Sequence, residues 1–265
     1  MAEYTNDYLL NRQVKIFQPV DGYRASTDAV ILSSLVQKVK KNDKILDVGS
    51  GTGAISLCLA ARFQEIQPQI TGIEIQPELA ELSARSAEAN GFSAFLHYVN
   101  ADIRQKITAV PPCSFRHVIT NPPYSDHDMP SPNPGKALAH NLQQFDLSSW
   151  LRFCLKMLAP KGQLYLINRA EAVTEIITAL YGRTGGLKII PLFSKPGQTA
   201  KRVMIIAEKD SKAPAAILPG LTVHTPDGGY TDEAFQILRG GRGFFELNDY
   251  IPKICIRRPP SFWAF

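Results

Sequence analysis

The stretch Lys44-Ile45-Leu46-Asp47-Val48-Gly49-Ser50-Gly51-Thr52-Gly53 is a short apolar run that ends in three alternating glycines. Such a run predicts a buried strand, and the glycines predict a tight turn after it. Ala54–Phe63, which follows, is rich in alanine and leucine and predicts a helix. A strand, a glycine-rich turn and a helix in this order predict a loop that holds a nucleotide-like ligand.

The rest of the chain continues the alternation of strands and helices. Further strands are predicted at Gln69–Ile75, Phe95–Val99, Phe115–Thr120, Gln163–Ile167, Leu187–Phe193 and Arg202–Glu208. Helices are predicted at Pro77–Asn90, Leu142–Leu158 and Glu171–Tyr181. This order predicts an α/β fold with a mostly parallel seven-stranded sheet that ends in an antiparallel hairpin. Ligands of such sheets bind at the carboxyl ends of the strands.

Composition places the chain among globular proteins. Of its 265 residues, 45% are hydrophobic and 20% are charged, with a net charge of +5. The four cysteines are far apart, so we expect neither a disulfide scaffold nor a metal site. The N-terminus does not resemble a signal peptide, and the chain contains no apolar run long enough to span a membrane. We therefore expect a cytoplasmic protein that does not associate with membranes.

The residue at the head of the glycine loop favours one ligand over another. Asp47 precedes the first glycine by two positions, where its carboxylate would repel a dinucleotide's pyrophosphate but attract an amino group and a sulfonium cation. Glu74 ends the next strand, where an acid accepts hydrogen bonds from ribose hydroxyls. Asp102 follows the third strand and is placed either to accept from an adenine amino group or to cap a turn. S-adenosyl-L-methionine is therefore the expected cofactor.

A stiff turn follows the fourth strand at Asn121-Pro122-Pro123-Tyr124. The prolines fix their own backbone and push the preceding residue toward an extended conformation. The Asn121 side-chain oxygen and the Pro122 carbonyl can then accept the two N–H hydrogens of a planar amine, which aims its lone pair at a methyl group. The Tyr124 ring offers a stacking surface worth roughly 1–3 kcal/mol. These four residues are the candidate catalytic residues.

Together these motifs resemble those of class I S-adenosylmethionine-dependent methyltransferases that modify planar amino or amide nitrogens, a Rossmann-like family. Gln18–Leu32 resembles the N-terminal signature of the small-domain branch, which includes the tRNA(Val) adenine-37-N6 methyltransferases, and Asp227–Thr231 resembles a late motif there. We expect an N-terminal cap segment over residues 1–40, an S-adenosylmethionine-binding catalytic domain over 41–210 and a C-terminal extension over 211–265. The resemblance places Thr27 and Asp28 near the methionine end of the cofactor, although either could equally cap a helix. The cofactor-binding residues that it implies are Thr27, Asp28, Asp47, Gly49, Ser50, Gly51, Thr52, Gly53, Glu74, Ile75, Ala101, Asp102, Ile103 and Asn121.

The expected substrate is RNA, and the expected acceptor is the N6 amine of an adenine in tRNA. Positive charge gathers late in the chain, since residues 181–202 carry five basic and no acidic side chains. We expect the predicted hairpin to hold phosphates at a second anchoring point, away from the catalytic strand end. The arginine- and glycine-rich tail is a second candidate RNA contact. The expected RNA-binding residues are Lys188, Lys195, Lys201, Arg202, Arg239 and Arg242.

Three alternatives stay open at this point. A protein-glutamine methyltransferase of the release-factor type shares the Asn-Pro-Pro-Tyr turn, but that family places a large helical domain before the glycine loop. An rRNA guanine-N2 methyltransferase is the next candidate. A non-catalytic RNA-binding module of the same fold is disfavoured by the presence of Asp47, Glu74, Asp102 and Asn121.

Overall fold

The computed structural model describes residues 3–123 and 146–247. The strands in these ranges are β1 Tyr4–Leu9, β2 Val14–Pro19, β3 Lys44–Val48, β4 Gln69–Glu74, β5 Leu96–Asn100, β6 Phe115–Thr120, β7 Leu158–Arg169, β8 Thr184–Phe193, β9 Arg202–Lys209, β10 Ala216–Ile217 and β11 Leu221–Thr222. The helices are α1 Thr27–Ser34, α2 Ala54–Arg62, α3 Pro77–Ala89, α4 Leu147–Met157, α5 Val173–Leu180, α6 Asp232–Leu238 and α7 Phe244–Leu247, with a 3₁₀ turn at Ala170–Ala172. None of these helices has the length and apolarity needed to cross a membrane.

The main sheet confirms the predicted fold class. Its order is β10-β8-β9-β7-β6-β3-β4-β5, with β11 also paired to β8. The five strands β5, β4, β3, β6 and β7 are parallel, and β8 and β9 form the antiparallel hairpin. The two-residue strands β10 and β11 extend the seven predicted strands along the outer edge of β8.

The direction of β8 decides where the hairpin turn lies. β9 runs antiparallel to β7, and β8 runs antiparallel to β9, so β8 points the same way as β3 and β6. The turn at 194–201 therefore lies beyond the carboxyl edge of the sheet, the edge where β3 and β6 end. The expectation that the hairpin carries its basic residues away from the catalytic strand end is wrong, because the turn follows a strand parallel to the catalytic one.

Buried apolar residues fill both faces of the sheet. One face packs α1, α2 and α6 against the sheet, and its core includes Leu10, Ile31 and Phe244. The other face packs α4 and α5, with Trp150 and Leu151 in its core. The segments 1–40 and 211–247 thus contribute to the same core as the central part of the chain.

The N-terminal hairpin of β1 and β2 is an element that the sequence motifs did not predict. It lies against α3 through backbone groups that bond side chains of that helix and its C-cap. The Lys15 N–H donates to Asn90 Oδ1 at 2.9 Å, and Asn90 Nδ2 donates back to the Lys15 carbonyl at 2.7 Å. The Phe17 N–H donates to Ser86 Oγ at 2.9 Å. These bonds fix the start of the chain, and with it the signature Gln18–Leu32.

Candidate active site

The glycine loop joins β3 to α2 at the carboxyl edge of the sheet. Asp47 is fully buried there, and its Oδ2 accepts a hydrogen bond of 3.2 Å from the Ser56 N–H in α2. Burial raises the pKa of Asp47 to about 7. Gly53 is the N-cap of α2 with a φ of +83°, a left-handed conformation that favours glycine.

Three polar side-chain atoms in this loop are buried and have no hydrogen-bond partner among the described residues: Asp47 Oδ1, Ser50 Oγ and Thr52 Oγ1. A buried polar atom left without a partner costs about 1–3 kcal/mol. Three such atoms in one loop indicate that it holds a polar ligand.

Glu74 fastens the glycine loop to the end of β4. Its Oε2 accepts from the Gly51 N–H at 2.8 Å, and its Oε1 accepts from the Gln76 N–H at 2.8 Å. Burial is the largest influence on this carboxyl and raises its pKa. Each oxygen keeps a lone pair, so Glu74 can accept from ligand hydroxyls while it holds the loop.

The Asp102 side chain caps a turn, which is one of the two roles that the sequence allows for it. Its Oδ1 accepts from the Arg104 N–H at 2.9 Å, and its carboxylate also pairs with the Arg104 guanidinium, whose Nη2 lies 2.6 Å from Oδ2. The hydrogen bond from the Arg104 side chain is the largest effect lowering the Asp102 pKa. Asp102 thus stays ionised at neutral pH, at the edge of the site. The neighbours Ile75, Ala101 and Ile103 are half-buried around it.

The candidate catalytic turn begins directly after β6. Thr120, the last residue of this strand, lies opposite Val48 of β3, so Asn121 and the glycine loop leave the sheet side by side. Asn121 is half-buried, Pro122 is buried and Pro123 is exposed. Tyr124 lies outside the described residues.

Two aromatic side chains contact the glycine loop, Tyr23 within the N-terminal signature and Trp150 outside the motifs, and the sequence analysis predicts a role for neither of them. A Cβ atom at Gly51 would lie 2.5 Å from Cε1 of Tyr23, and a Cβ atom at Gly49 would lie 2.9 Å from the indole ring of Trp150. Any side chain at Gly49 or Gly51 would collide with these rings, and both residues also have a positive φ, which favours glycine. No local pattern marks such contacts, since Tyr23 and Trp150 lie far from the loop in sequence.

The N-terminal signature holds Tyr23 in place. Gln18 is buried, and its Nε2 donates to Asp7 Oδ2 at 2.9 Å while its Oε1 accepts from the Ala25 N–H at 2.8 Å. Arg24 pairs with the same Asp7 carboxylate at 2.7 Å. The polar residues of the signature therefore position the segment that crosses the glycine loop.

The helix α1 begins at Thr27, and its N-cap is Ser26, whose side chain makes no capping hydrogen bond. Thr27 is exposed, and Asp28 is half-buried in the first turn. The Asp28 carboxylate accepts from Arg202 Nε at 3.1 Å. Neither Thr27 nor Asp28 is the cap itself.

The expected RNA-binding residues lie in different surroundings. Lys195 Nζ donates to the Pro226 carbonyl at 3.1 Å, and Lys201 is exposed. Lys188 is half-buried on β8 with its ammonium 5.1 Å from the centre of the Phe245 ring, and burial lowers its pKa. The structure does not bring all six residues together, since Arg239 and Arg242 are exposed at the end of α6, on the helical layer.

The late motif Asp227–Thr231 forms a turn beside the hairpin. The Thr231 side chain caps α6 by accepting from the Ala234 N–H at 3.2 Å, and it donates to the Thr222 carbonyl at 2.7 Å. The Tyr230 ring stacks on His224 with a centroid separation of 5.2 Å. Because Lys195 reaches Pro226, this turn and the hairpin form one surface at the carboxyl edge.

Comparison with known families identifies the chain. Residues 25–187, more than half of the sequence, match the model of the methyltransferase small domain. A curated relative from Actinobacillus pleuropneumoniae, named tRNA1(Val) (adenine(37)-N6)-methyltransferase, is 29% identical over 81% of this chain and 88% of its own length. A protein of the same name from Photobacterium profundum is 25% identical over 83% of this chain and 86% of its own.

Solved structures agree with the fold. A protein from Agrobacterium tumefaciens described as a predicted O-methyltransferase is 31% identical, with a TM-score of 0.67 over 81% of this chain and 96% of its own. A type I restriction-modification methyltransferase subunit from Streptococcus thermophilus is 17% identical, with a TM-score of 0.53 over 74% of this chain and 47% of its own. The second likeness concerns the fold alone.

The residues of the glycine loop fit the cofactor of this family. The unpartnered Asp47 oxygen suits a cationic amino group, and the Ser50 and Thr52 hydroxyls supply further polar contacts. The chain belongs to the methyltransferase small domain family, and it is an S-adenosylmethionine-dependent methyltransferase.

Proposed function

We propose that this enzyme methylates the exocyclic N6 amine of an adenine in tRNA. One observation carries the proposal: β6 delivers Asn121 and the two prolines beside the glycine loop, at a strand end fixed by the pairing of Thr120 with Val48. The names of the curated relatives support the tRNA adenine, and they cover most of this chain at 25–29% identity.

The proposed chemistry depends on how the acceptor nitrogen is held. An exocyclic amine is a weak nucleophile because its lone pair is delocalised into the ring. The Asn121 side-chain oxygen and the Pro122 carbonyl would accept its two hydrogens, which favours a pyramidal nitrogen whose lone pair is free to attack. Tyr124 would stack on the extruded base.

Bound S-adenosylmethionine supplies a methyl group activated by its sulfonium centre. Asp47 would accept from the cofactor's amino group through its unpartnered Oδ1, and Glu74 would accept from the ribose hydroxyls. Asp102 would accept a hydrogen bond from the amino group of the cofactor's adenine, while Arg104 holds the Asp102 carboxylate in place. We further propose contacts from Thr27, Asp28, Ile75, Ala101 and Ile103 around the same edge.

The RNA backbone would be held at the same edge of the sheet. Lys195 and Lys201 lie on the turn after β8, and Arg202 begins β9. Since β8 ends beside the catalytic edge, phosphates close to the target base would meet these cations. Lys188, Arg239 and Arg242 would be more distant contacts. A tRNA substrate also implies a compartment that contains tRNA, for which we expect the cytoplasm.

Methyl transfer to total tRNA tests the proposal. Purified enzyme, radiolabelled S-adenosylmethionine and unmodified total tRNA are incubated, and the nucleosides are resolved by mass spectrometry. The proposal predicts N6-methyladenosine, which disappears with the Asn121→Ala variant. N2-methylguanosine or a methylated hydroxyl would contradict it and assign the enzyme to another acceptor. Absence of label from the tRNA, with transfer to a glutamine side chain of an added release factor, would assign it to a protein acceptor.

A further inference from the structure

Trp150 lies where the glycine loop and the catalytic strand meet. It belongs to the first turn of α4, whose N-cap Asp146 accepts from the Ser149 N–H at 2.6 Å. The indole is buried, with 7% of Trp150 exposed. The ring fills the space where Gly49 lacks a side chain, since a Cβ there would lie 2.9 Å from Cη2 and Cζ2.

The indole N–H begins a chain of two hydrogen bonds across the sheet edge. Trp150 Nε1 donates to Thr120 Oγ1 at 2.8 Å, and Thr120 Oγ1 donates to the Val48 carbonyl at 2.9 Å. All three groups are buried. Thr120 directly precedes Asn121, and Val48 directly precedes Gly49. The two hydrogen bonds therefore fix the residue before Asn121 and the residue before the first glycine of the loop.

The same contact links the end of β6 to the first turn of α4, because Trp150 bonds Thr120 directly. The bond resists rotation of the strand end, because breaking it removes the Thr120 acceptor from a buried indole N–H.

We infer that Trp150 is a positioning residue, which acts through Thr120 to fix the direction in which β6 delivers Asn121 while its ring braces Gly49. The inference rests on the proposed role of Asn121 in holding the acceptor nitrogen. A small displacement of such a group lowers the rate, because the reacting atoms must meet within a narrow range of geometry.

Two variants test the hydrogen-bond chain. Thr120→Val keeps the branched shape but removes the hydroxyl, whereas Trp150→Phe removes the N–H together with part of the ring that packs on Gly49. We expect each to lower kcat about tenfold or more, with the KM for the cofactor within about threefold of wild type. The double variant should have about the same kcat as the slower of the two single variants, because both substitutions interrupt the same chain of two hydrogen bonds.

Thr120→Ser is the matched control, since it keeps the hydroxyl, and its kcat should stay within about threefold of wild type. A residue that matters for packing alone would give the opposite pattern, with Thr120→Val active and Trp150→Phe merely less stable. Thermal unfolding of every variant separates loss of fold from loss of positioning. If Trp150→Phe does not fold, the comparison of Thr120→Val with Thr120→Ser decides. A kcat for Thr120→Val close to that of wild type overturns the inference.

A second readout does not depend on the RNA substrate. The only other tryptophan in the sequence is Trp263, so a Trp263→Phe protein reports Trp150 fluorescence alone. Titration with S-adenosylhomocysteine should change that emission with a midpoint equal to the dissociation constant from calorimetry. Thr120→Val in the same background should shift the emission before ligand is added, because the indole loses its hydrogen bond.

The two readouts keep the failures apart. If wild-type enzyme methylates no tRNA, the proposed substrate is wrong, and the fluorescence titration still tests Trp150. If calorimetry detects binding of S-adenosylhomocysteine but the Trp150 emission does not change, the Trp150 ring is not coupled to the glycine loop and the inference fails.

Discussion

The Nε atom of Arg202 lies 3.1 Å from the Oδ2 atom of Asp28, across a sequence separation of 174 positions. This ion pair joins the first residue of β9 to the first turn of α1. It connects the N-terminal signature with the hairpin at the carboxyl edge of the sheet. Arg202 is therefore bound to the protein as well as placed at the proposed RNA surface, unlike the exposed Lys201 beside it.

The ion pair should contribute modestly to stability. The side chains of Arg202 and Asp28 are 33% and 16% exposed, so solvent weakens their attraction. We expect a coupling of about 0.5–1 kcal/mol between Asp28→Asn and Arg202→Gln in a double-mutant cycle followed by urea unfolding. Lys201→Gln, the neighbouring control, should leave stability unchanged. A coupling of zero would show that the contact does not stabilise the fold.

Neutralising the two hairpin lysines should change how RNA binding responds to salt. Each phosphate contact contributes about one unit to the slope of log affinity against log salt. Lys195→Gln with Lys201→Gln should therefore weaken binding of tRNA and of an unrelated RNA alike and flatten both slopes by about two units. Lys156→Gln is the control, since Lys156 lies beside Cys113 at the opposite edge of the sheet. An unchanged slope in the double variant would remove the hairpin from the RNA surface.

Cofactor affinity should depend on pH through Asp47. Burial raises the pKa of this carboxyl to about 7, and a cationic amino group binds better to its ionised form. Each pH unit below 7 should raise the dissociation constant of S-adenosylhomocysteine by up to about tenfold, since a proton must first leave. Calorimetry between pH 5.5 and 8 measures the effect. Asp47→Asn should bind more weakly and without this slope, and an equal slope in that variant would assign the dependence to another group.

His117 should make the fold sensitive to acid. It is 2% exposed on β6, and burial, opposed by Asp43, lowers its pKa to about 4. In the unfolded chain histidine has a pKa of about 6.5, so the unfolded state binds the extra proton first as pH falls. The stabilisation is complete above pH ~6.5 and declines toward pH 4, by about 2 kcal/mol between pH 7 and 5.

The variant His117→Gln should lose less stability than wild type over the same interval, as measured by urea unfolding at each pH. Asp47 acts in the opposite sense, because its raised pKa makes the fold more stable at low pH. The difference between wild type and the variant isolates the histidine. Equal losses in both proteins would contradict a neutral buried His117.

The parts of the site predicted from sequence are those where a local pattern has one physical meaning. Alternating glycines after an apolar run, an acid at the next strand end and prolines after β6 each mark a position relative to a strand. Because parallel strands end at one edge, their convergence at that edge follows from the fold class. The seven long strands follow from the same patterns.

The contacts missed from sequence are those made between distant segments. Trp150 reaches Gly49 and Thr120, and Tyr23 reaches Gly51, with no periodicity to mark either contact. The location of the hairpin turn was predicted wrongly because it depends on the direction of β8, which is set by pairing with β9. The strand predicted from Gln163 begins earlier, at Leu158, and Pro160-Lys161-Gly162 lies inside β7 as an irregularity between the pairs Phe115–Leu158 and His117–Gln163, where Lys161 has a φ of +61°.

The most direct test of the proposed chemistry is the single-turnover rate of methyl transfer to tRNA by the Asn121→Ala variant, with S-adenosylhomocysteine affinity measured on the same preparation. If Asn121 holds the acceptor nitrogen, the rate falls by a factor of about 100 or more, the scale of a lost preorganised partner, while the affinity stays near wild type. A rate within about threefold of wild type, in a variant that binds the cofactor product normally, would contradict the role of Asn121 at the acceptor nitrogen.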